Sequence, residues 1–116
     1  MPPTLSVSND DSLGEQVQRR FAGARVVKTL NTVSSVLMTT PDLAPRPHNI
    51  FLSGEGEAAK AEVRTLLNSF GWDDEEIIDL GGIQTARGPE MYLPLWIGIA
   101  GRSGNWTTTI RLVRGA

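Results

Sequence analysis

The chain has 116 residues, 40% hydrophobic and 21% charged, a composition that fits one globular domain with its own core and excludes a disordered segment. Eleven basic and thirteen acidic side chains, spread without blocks, leave a formal charge of −2, so the basic face that nucleic acid requires is not expected. Zero cysteines exclude a disulfide framework, a thiolate metal site and a cysteine nucleophile, and a single histidine argues against zinc.

Met1-Pro2-Pro3-Thr4 lacks the charged and apolar regions of a signal peptide. The longest apolar stretch, Met91 to Ala100, is interrupted by Pro94 and Gly98 and is too short to span a bilayer. A cytoplasmic protein without a membrane partner is the expectation.

The first predicted element is a helix from Ser12 to about Phe21. Ser12-Leu13-Gly14-Glu15 matches a capping box, Leu13, Val17 and Phe21 form an apolar stripe, and Gly23 is placed to end the helix. A strand at Val26–Leu30 follows and runs into the polar pair Asn31-Thr32. A short helix is expected within Val33–Met38, then a loop set by Pro41, Pro45 and Pro47, then a second strand at Asn49–Ser53. Glu57–Phe70 carries the strongest helical pattern, with Ala59, Val63, Leu66, Leu67 and Phe70 on one face, Gly71 at the left-handed C-cap and Trp72 as its hydrophobic contact. Glu76–Leu80 reads as a third strand, closed by Gly81-Gly82. A last helix is predicted from Pro89, apolar nearly all round and so expected to pack on the sheet and on a partner surface. Thr107–Val113 is predicted to close the chain as a fourth strand.

Strands alternating with helices over short links indicate a single α/β domain across residues 1–116, with a parallel sheet and crossover helices. One feature conflicts with that pattern. The first helix has no strand before it, whereas a crossover helix joins two parallel strands. The chain reads as though it begins in the middle of a crossover.

Several features have a plain structural reading. Asn31-Thr32 suits a strand-ending turn as well as the lip of a site, because both side chains bond their own backbone readily. Ser53–Ala61, "SGEGEAAKA", has the strand–glycine–helix order of a phosphate loop, but Glu55 and Glu57 place negative charge where a phosphate would sit and the glycine spacing fits neither nucleotide fingerprint. Arg87 and Glu90 are spaced for a local ion pair, His48 for a solvated loop, and Trp96 and Trp106 for core or interface anchors. Asp73-Asp74-Glu75-Glu76 lacks the ligand spacing of a calcium loop and reads as a solvated loop and helix-start cluster.

Three blocks, "DSLGEQVQRRFAGARVVKTLNTV", "IFLSGEGEAAKAEVRTLLNSFGW" and "IIDLGGIQTARGPEMYLPLWI", resemble in order and spacing the C-terminal part of NADP-dependent coenzyme F420 reductases, over about Pro3 to Val113. The resemblance implies an incomplete Rossmann-like parallel sheet, its C-terminal half, with crossover helices and a C-terminal strand. The Gly-rich dinucleotide-binding module that opens such proteins is not in these residues. It further implies an oxidoreductase fragment on the hydride-acceptor side of an exchange between NADP(H) and coenzyme F420. By the same resemblance, Asn31, Thr32 and Val33 lie against the nicotinamide and deazaflavin rings, although family members often carry a histidine at the position of Asn31. Gly104, Asn105 and Trp106 would approach the deazaflavin. No catalytic side chain and no metal ligand is expected, and a homodimer would form through the apolar C-terminal helix. Without a pyrophosphate cradle the chain is expected to be inactive alone. A non-catalytic binding or assembly module of the same half-fold is the alternative.

Overall fold

A computed structural model describes residues 3–116; Met1-Pro2 of the leader lie outside the described residues. α1 (Leu13–Arg20) starts where the capping residue sits, with Ser12 Oγ accepting from Glu15 N–H at 3.1 Å. The glutamate of the expected capping box does not return to a backbone donor. It accepts instead from the Ser12 hydroxyl at 2.8 Å and from Arg87. The helix ends at Arg20, before Gly23, because Gln18 Nε2 reaches the Phe21 and Ala24 carbonyls and closes the turn early. Its apolar stripe is uncovered: Leu13, Val17 and Phe21 are 51%, 45% and 56% exposed. The packed face runs through Gly14, where a Cβ would lie 3.2 Å from Ile83 Cδ1 and 3.3 Å from Ala86 Cβ.

The sheet has three strands, β1 (Lys28–Thr29), β2 (Ile50–Ser53) and β3 (Ile77–Asp79), in that order. β2 and β3 are parallel, with Ile50 opposite Ile77 and Leu52 opposite Asp79. β1 is antiparallel to β2, which corrects the all-parallel expectation and makes the sheet mixed. The reason lies in the connection. α2 (Ser35–Thr39) is one turn long and is followed at once by a 3₁₀ turn at Pro41–Leu43, so no helix carries the chain back along the sheet. β1 is also shorter than the Val26–Leu30 expected. Val26 N–H is taken by Gln18 Oε1 at 3.1 Å, and Leu30 leaves the strand with φ +68°.

α3 (Glu57–Ser69) is the helix its periodicity predicts. Its end is the expected glycine cap: Gly71 has φ +112°, Trp72 N–H bonds Leu67 O at 3.1 Å, and Trp72 folds under the cap, 1% exposed. The predicted last helix is two, α4 (Arg87–Met91) and α5 (Leu93–Ser103), preceded by a 3₁₀ turn at Ile83–Ala86. Pro94 has no N–H to give Glu90 O, and its ring crowds that carbonyl, so the axis breaks at Tyr92.

The fourth strand does not form. Residues 107–113 lie beside the start of β2, but Asn49 N–H to Ile110 O, 2.8 Å, is the backbone contact that joins them. Side chains take the other positions of a ladder: Asn49 Oδ1 accepts from Leu112 N–H, and Trp96 Nε1 donates to Thr108 O, each at 2.8 Å.

Alternation along β2 sends Ile50 and Leu52 to one face and Phe51 to the other. The first face carries the core, in which Ile50, Leu52 and Leu37 are 0% exposed and pack with Val33, Leu67, Trp72 and Ile77. The second lies under α4 and the C-terminal segment. The result is an α/β, partial Rossmann-like fold. Among the described residues no helix is long and apolar enough to cross a membrane.

Candidate functional site

The loosely covered face of the sheet holds a cavity of about 240 Å³. Phe51 of β2 and Leu80 after β3 form its floor. Gly88 and Pro89 of α4, Tyr92 at the helix break, Ile110 of the C-terminal segment and Thr32 complete the lining. No charged side chain is among them.

The turn after β1 builds one wall. Leu30 in the left-handed region is costly for a residue with a Cβ, and the surrounding packing has to hold it there. It is held: Leu30 packs against the core, and Asn31 Nδ2 donates to Pro89 O at 2.9 Å. That bond ties the turn to α4 and leaves Thr32 3% exposed beside the cavity. Val33 goes the other way, into the core, where it is 6% exposed. Of the three residues singled out here by sequence, Thr32 lines the cavity, Asn31 fixes the turn and Val33 supports it.

Two of the side chains that line the cavity end in hydroxyls without a partner. Thr32 Oγ1 and Tyr92 Oη are both shielded from solvent, and neither finds a hydrogen bond among the described residues. Ser34 Oγ in the same turn is a third such group. Orphaned polar atoms are uncommon in folded proteins and cost free energy unless something else satisfies them. Burial also pushes the Tyr92 phenol above its ordinary pKa. Tyr92 was not a sequence candidate, since a tyrosine in a run of apolar residues reads as packing. The signal that points to it is Pro94, which breaks the helix at Tyr92.

The other predicted triplet lies elsewhere. Gly104 is the left-handed cap of α5 with φ +70°, and Asn105 Oδ1 accepts from Thr107 N–H at 3.0 Å and its hydroxyl at 2.7 Å. Trp106, half exposed, tilts against Trp96 with ring centroids 5.6 Å apart. None of the three lines the cavity.

The charged groups around the site have structural duties. Arg87 does not pair with Glu90. It grips Glu15 of α1 with two bonds of 2.9 and 2.8 Å, which holds the Glu15 carboxyl below its ordinary pKa. Glu90 caps α1, accepting from Leu13 N–H at 2.6 Å and Gly14 N–H at 3.0 Å. Together they clamp α1 to α4. Glu55 accepts from Ile83 N–H at 3.0 Å, so the "SGEGEAAKA" turn caps the 3₁₀ segment before α4 with its own carboxylate. A Cβ at Gly82 would fall 2.7 Å from Glu55 Oε1, so a larger residue there would displace that carboxylate.

His48 corrects the expectation of a solvated loop residue. It is 2% exposed, meets Trp72 edge-on with ring centroids 4.9 Å apart, and bonds Pro41 O at 2.8 Å and Thr109 Oγ1 at 3.0 Å. Beside it, Glu76 corrects the reading of a solvated acidic run: it is 1% exposed and pairs with Arg46, while its carboxylate also accepts from the backbone N–H groups of His48 and Asp73. Prolines flank His48 closely enough to suggest a loop, and its burial depends on partners far away in sequence.

No family model and no curated protein matches the chain. A solved structure does: a candidate F420-dependent NADP-reductase from Arthrobacter sp. FB24, 53% identical, superimposes with a TM-score of 0.92 over 98% of this chain. The match covers 51% of that reductase, so this chain spans about half the length of its relative. At that identity, over nearly every residue, the chain is similar to one half of an F420-dependent NADP-reductase candidate, in agreement with the three sequence blocks.

Proposed function

We propose that this chain supplies the ring-binding side of a hydride exchange between NADP(H) and coenzyme F420, with the pyrophosphate held by another polypeptide segment. The observation that carries this reading is the uncharged cavity beside Asn31-Thr32 in a chain 53% identical to half of a candidate F420-dependent NADP-reductase. The cofactors, when bound, supply the hydride chemistry, and the protein's part is to orient flat rings and exclude water. The apolar lining suits that task. The diphosphate of a dinucleotide is not served in the same way: Glu90 occupies the N-terminus of α1 and Glu55 that of the segment before α4. On this reading the cradle of free backbone N–H groups is supplied by another segment.

Two surfaces are suited to receive such a module and a second copy. The α1 stripe of Leu13, Val17 and Phe21 is uncovered, as is the α5 face of Leu95 (60% exposed) and Ile99 (44%). We assign the first to the nucleotide-binding module and the second to a homodimer. The α5 face also favours the second reading, a non-catalytic assembly module.

The two readings separate on reconstitution. Adding the unmatched half of the Arthrobacter relative should yield NADPH-dependent F420 reduction, while the chain alone turns over nothing and binds NADPH weakly. Micromolar NADPH binding by the chain alone would overturn the division of labour. A soluble complex without turnover would leave the assembly module. Leu95→Glu should convert a dimer to a monomer in light scattering, and a wild-type monomer would refute the homodimer.

A further inference from the structure

Strain collects in the turn from Leu30 to Ser34. Leu30 sits at φ +68°, a conformation that a residue with a Cβ rarely adopts. Thr32 Oγ1 and Ser34 Oγ are buried without a partner among the described residues, and Ser34 stands at the N-cap of α2 without bonding the helix. The bond that closes the turn, Val33 N–H to Leu30 O, is long at 3.4 Å. Local sequence favours another state, since the Val26–Leu30 pattern reads as strand through Leu30 itself. A local preference overruled in this way needs something to overrule it.

Two contacts do so. Leu30 packs against the core, and Asn31 Nδ2 donates to Pro89 O at 2.9 Å, the one side-chain hydrogen bond that the turn makes among the described residues. Pro89 stands inside a clamp. Before it in α4, Arg87 holds Glu15 of α1; after it, Glu90 accepts from Leu13 and Gly14 N–H at the start of α1. Glu90 also lies 3.6 Å from Lys28 Nζ, in the strand that enters the turn. α1 and the turn therefore bear on the same five-residue helix.

We propose that Leu30–Ser34 is a two-state turn, kept in its strained form by Asn31 and biased by the seating of α1 through α4. In the relaxed state Asn31 releases Pro89 O, Leu30 returns to extended backbone, and the Thr32 and Ser34 hydroxyls reach water. Thr32 lines the cavity, so whatever moves α1, whose apolar stripe is uncovered, alters the cavity wall, and the coupling is reciprocal. The inference concerns the chain alone and holds whether or not the cavity receives a cofactor ring.

Backbone amide NMR of the whole chain tests it. Asn31→Ala cuts the tether and should speed hydrogen exchange at Val33 about tenfold, the loss of one ordinary bond, while α3 amides keep their wild-type rates. Thr32→Val deletes an orphaned hydroxyl that costs free energy in the strained form alone, so adding it to Asn31→Ala should slow that exchange again. Glu15→Gln loosens α1 from Arg87 and touches no residue of the turn. It should move the amides of Ser34 and Ser35, next to neither substitution, along the same line of chemical shift as Asn31→Ala but less far. Two states in fast exchange require that line, and in slow exchange a second set of peaks appears at its far end.

Ser34 and Ser35 amides that stay in place in Glu15→Gln, or move in unrelated directions, would overturn the coupling. Unchanged exchange at Val33 in Asn31→Ala, or exchange quickened equally across α3, would make the turn a fixed part of the core. A double variant that exchanges as fast as Asn31→Ala would remove the Thr32 hydroxyl as a source of strain and overturn the two-state assignment with it.

Discussion

The two faces of the sheet are built to different standards. On the Ile50–Leu52 face the side chains are fully buried, Trp72 Nε1 donates to Met38 O at 3.0 Å, and the ionised Glu76 carboxylate is met by a guanidinium and two backbone N–H groups. On the Phe51 face a cavity remains, two hydroxyls lack partners, and α5 beyond it exposes apolar side chains. On the proposed reading the closed face makes stability and the incomplete one receives the ring, a division expected where local rules are broken for function. Truncation on the two faces measures the contrast. Leu52→Ala should cost about 3–4 kcal/mol, because a rigid core keeps the void it is given. Phe51→Ala, beside space that already exists, should cost about half as much. Denaturant midpoints give both values, and equal costs would mean that the second face is as well packed as the first.

Acid is the next way to break the closed side. Burial pushes the Glu76 carboxyl up, but Arg46 and the N–H groups of Asp73 and His48 outweigh it and leave the group below its ordinary 4.5. A carboxylate with a depressed folded pKa contributes fully above its unfolded value, and that contribution is lost as pH falls through the folded one. Glu15 and Asp79 are depressed in the same direction and act in the same window. Stability should therefore be level near neutrality and fall progressively below about pH 4.5. Glu76→Gln should cost about 3 kcal/mol at neutral pH by leaving Arg46 half paired, and should flatten part of the acid limb. Chemical denaturation from about pH 7 to about pH 3 checks both. An unchanged acid limb in the variant would assign the loss to other carboxylates.

The closed side was legible in part, since its helix and cap were local signals while the burial of His48 and Glu76 was not foreseen. The periodicity of α3, its glycine cap and Trp72 are local signals, and each is where the pattern put it. So is the Ser12 cap of α1. Most of the failures come from side chains that take backbone bonds or partners a local pattern assigns elsewhere, some of them near in the chain and some far. Gln18 shortens both α1 and β1, Asn49 and Trp96 take the bonds of the fourth strand, and Arg87 passes its near neighbour Glu90 for Glu15, 72 residues away. The site followed the same rule. Thr32 was visible because a strand ended beside it, whereas Tyr92 belongs to the cavity through a tertiary arrangement that no short window of sequence contains.

The smallest effect tests the open side from its outer surface. Gly98 lies within α5, and a Cβ there would meet nothing within 4 Å. In an isolated chain Gly98→Ala should stabilise by about 0.5–1 kcal/mol, since alanine restricts the unfolded backbone and favours helix. Gly54→Ala, where the added carbon would sit 2.8 Å from Val26 O, should do the reverse because backbone must move. If α5 is the contact between two copies, the same Gly98 methyl has to be accommodated at the interface. The gain in the monomer would then be offset by weaker association, which appears as a loss of the concentration dependence of the melting temperature. A stabilising Gly98→Ala with concentration-independent melting in both proteins would mean that this face meets solvent and that the dimer, if one forms, is built elsewhere.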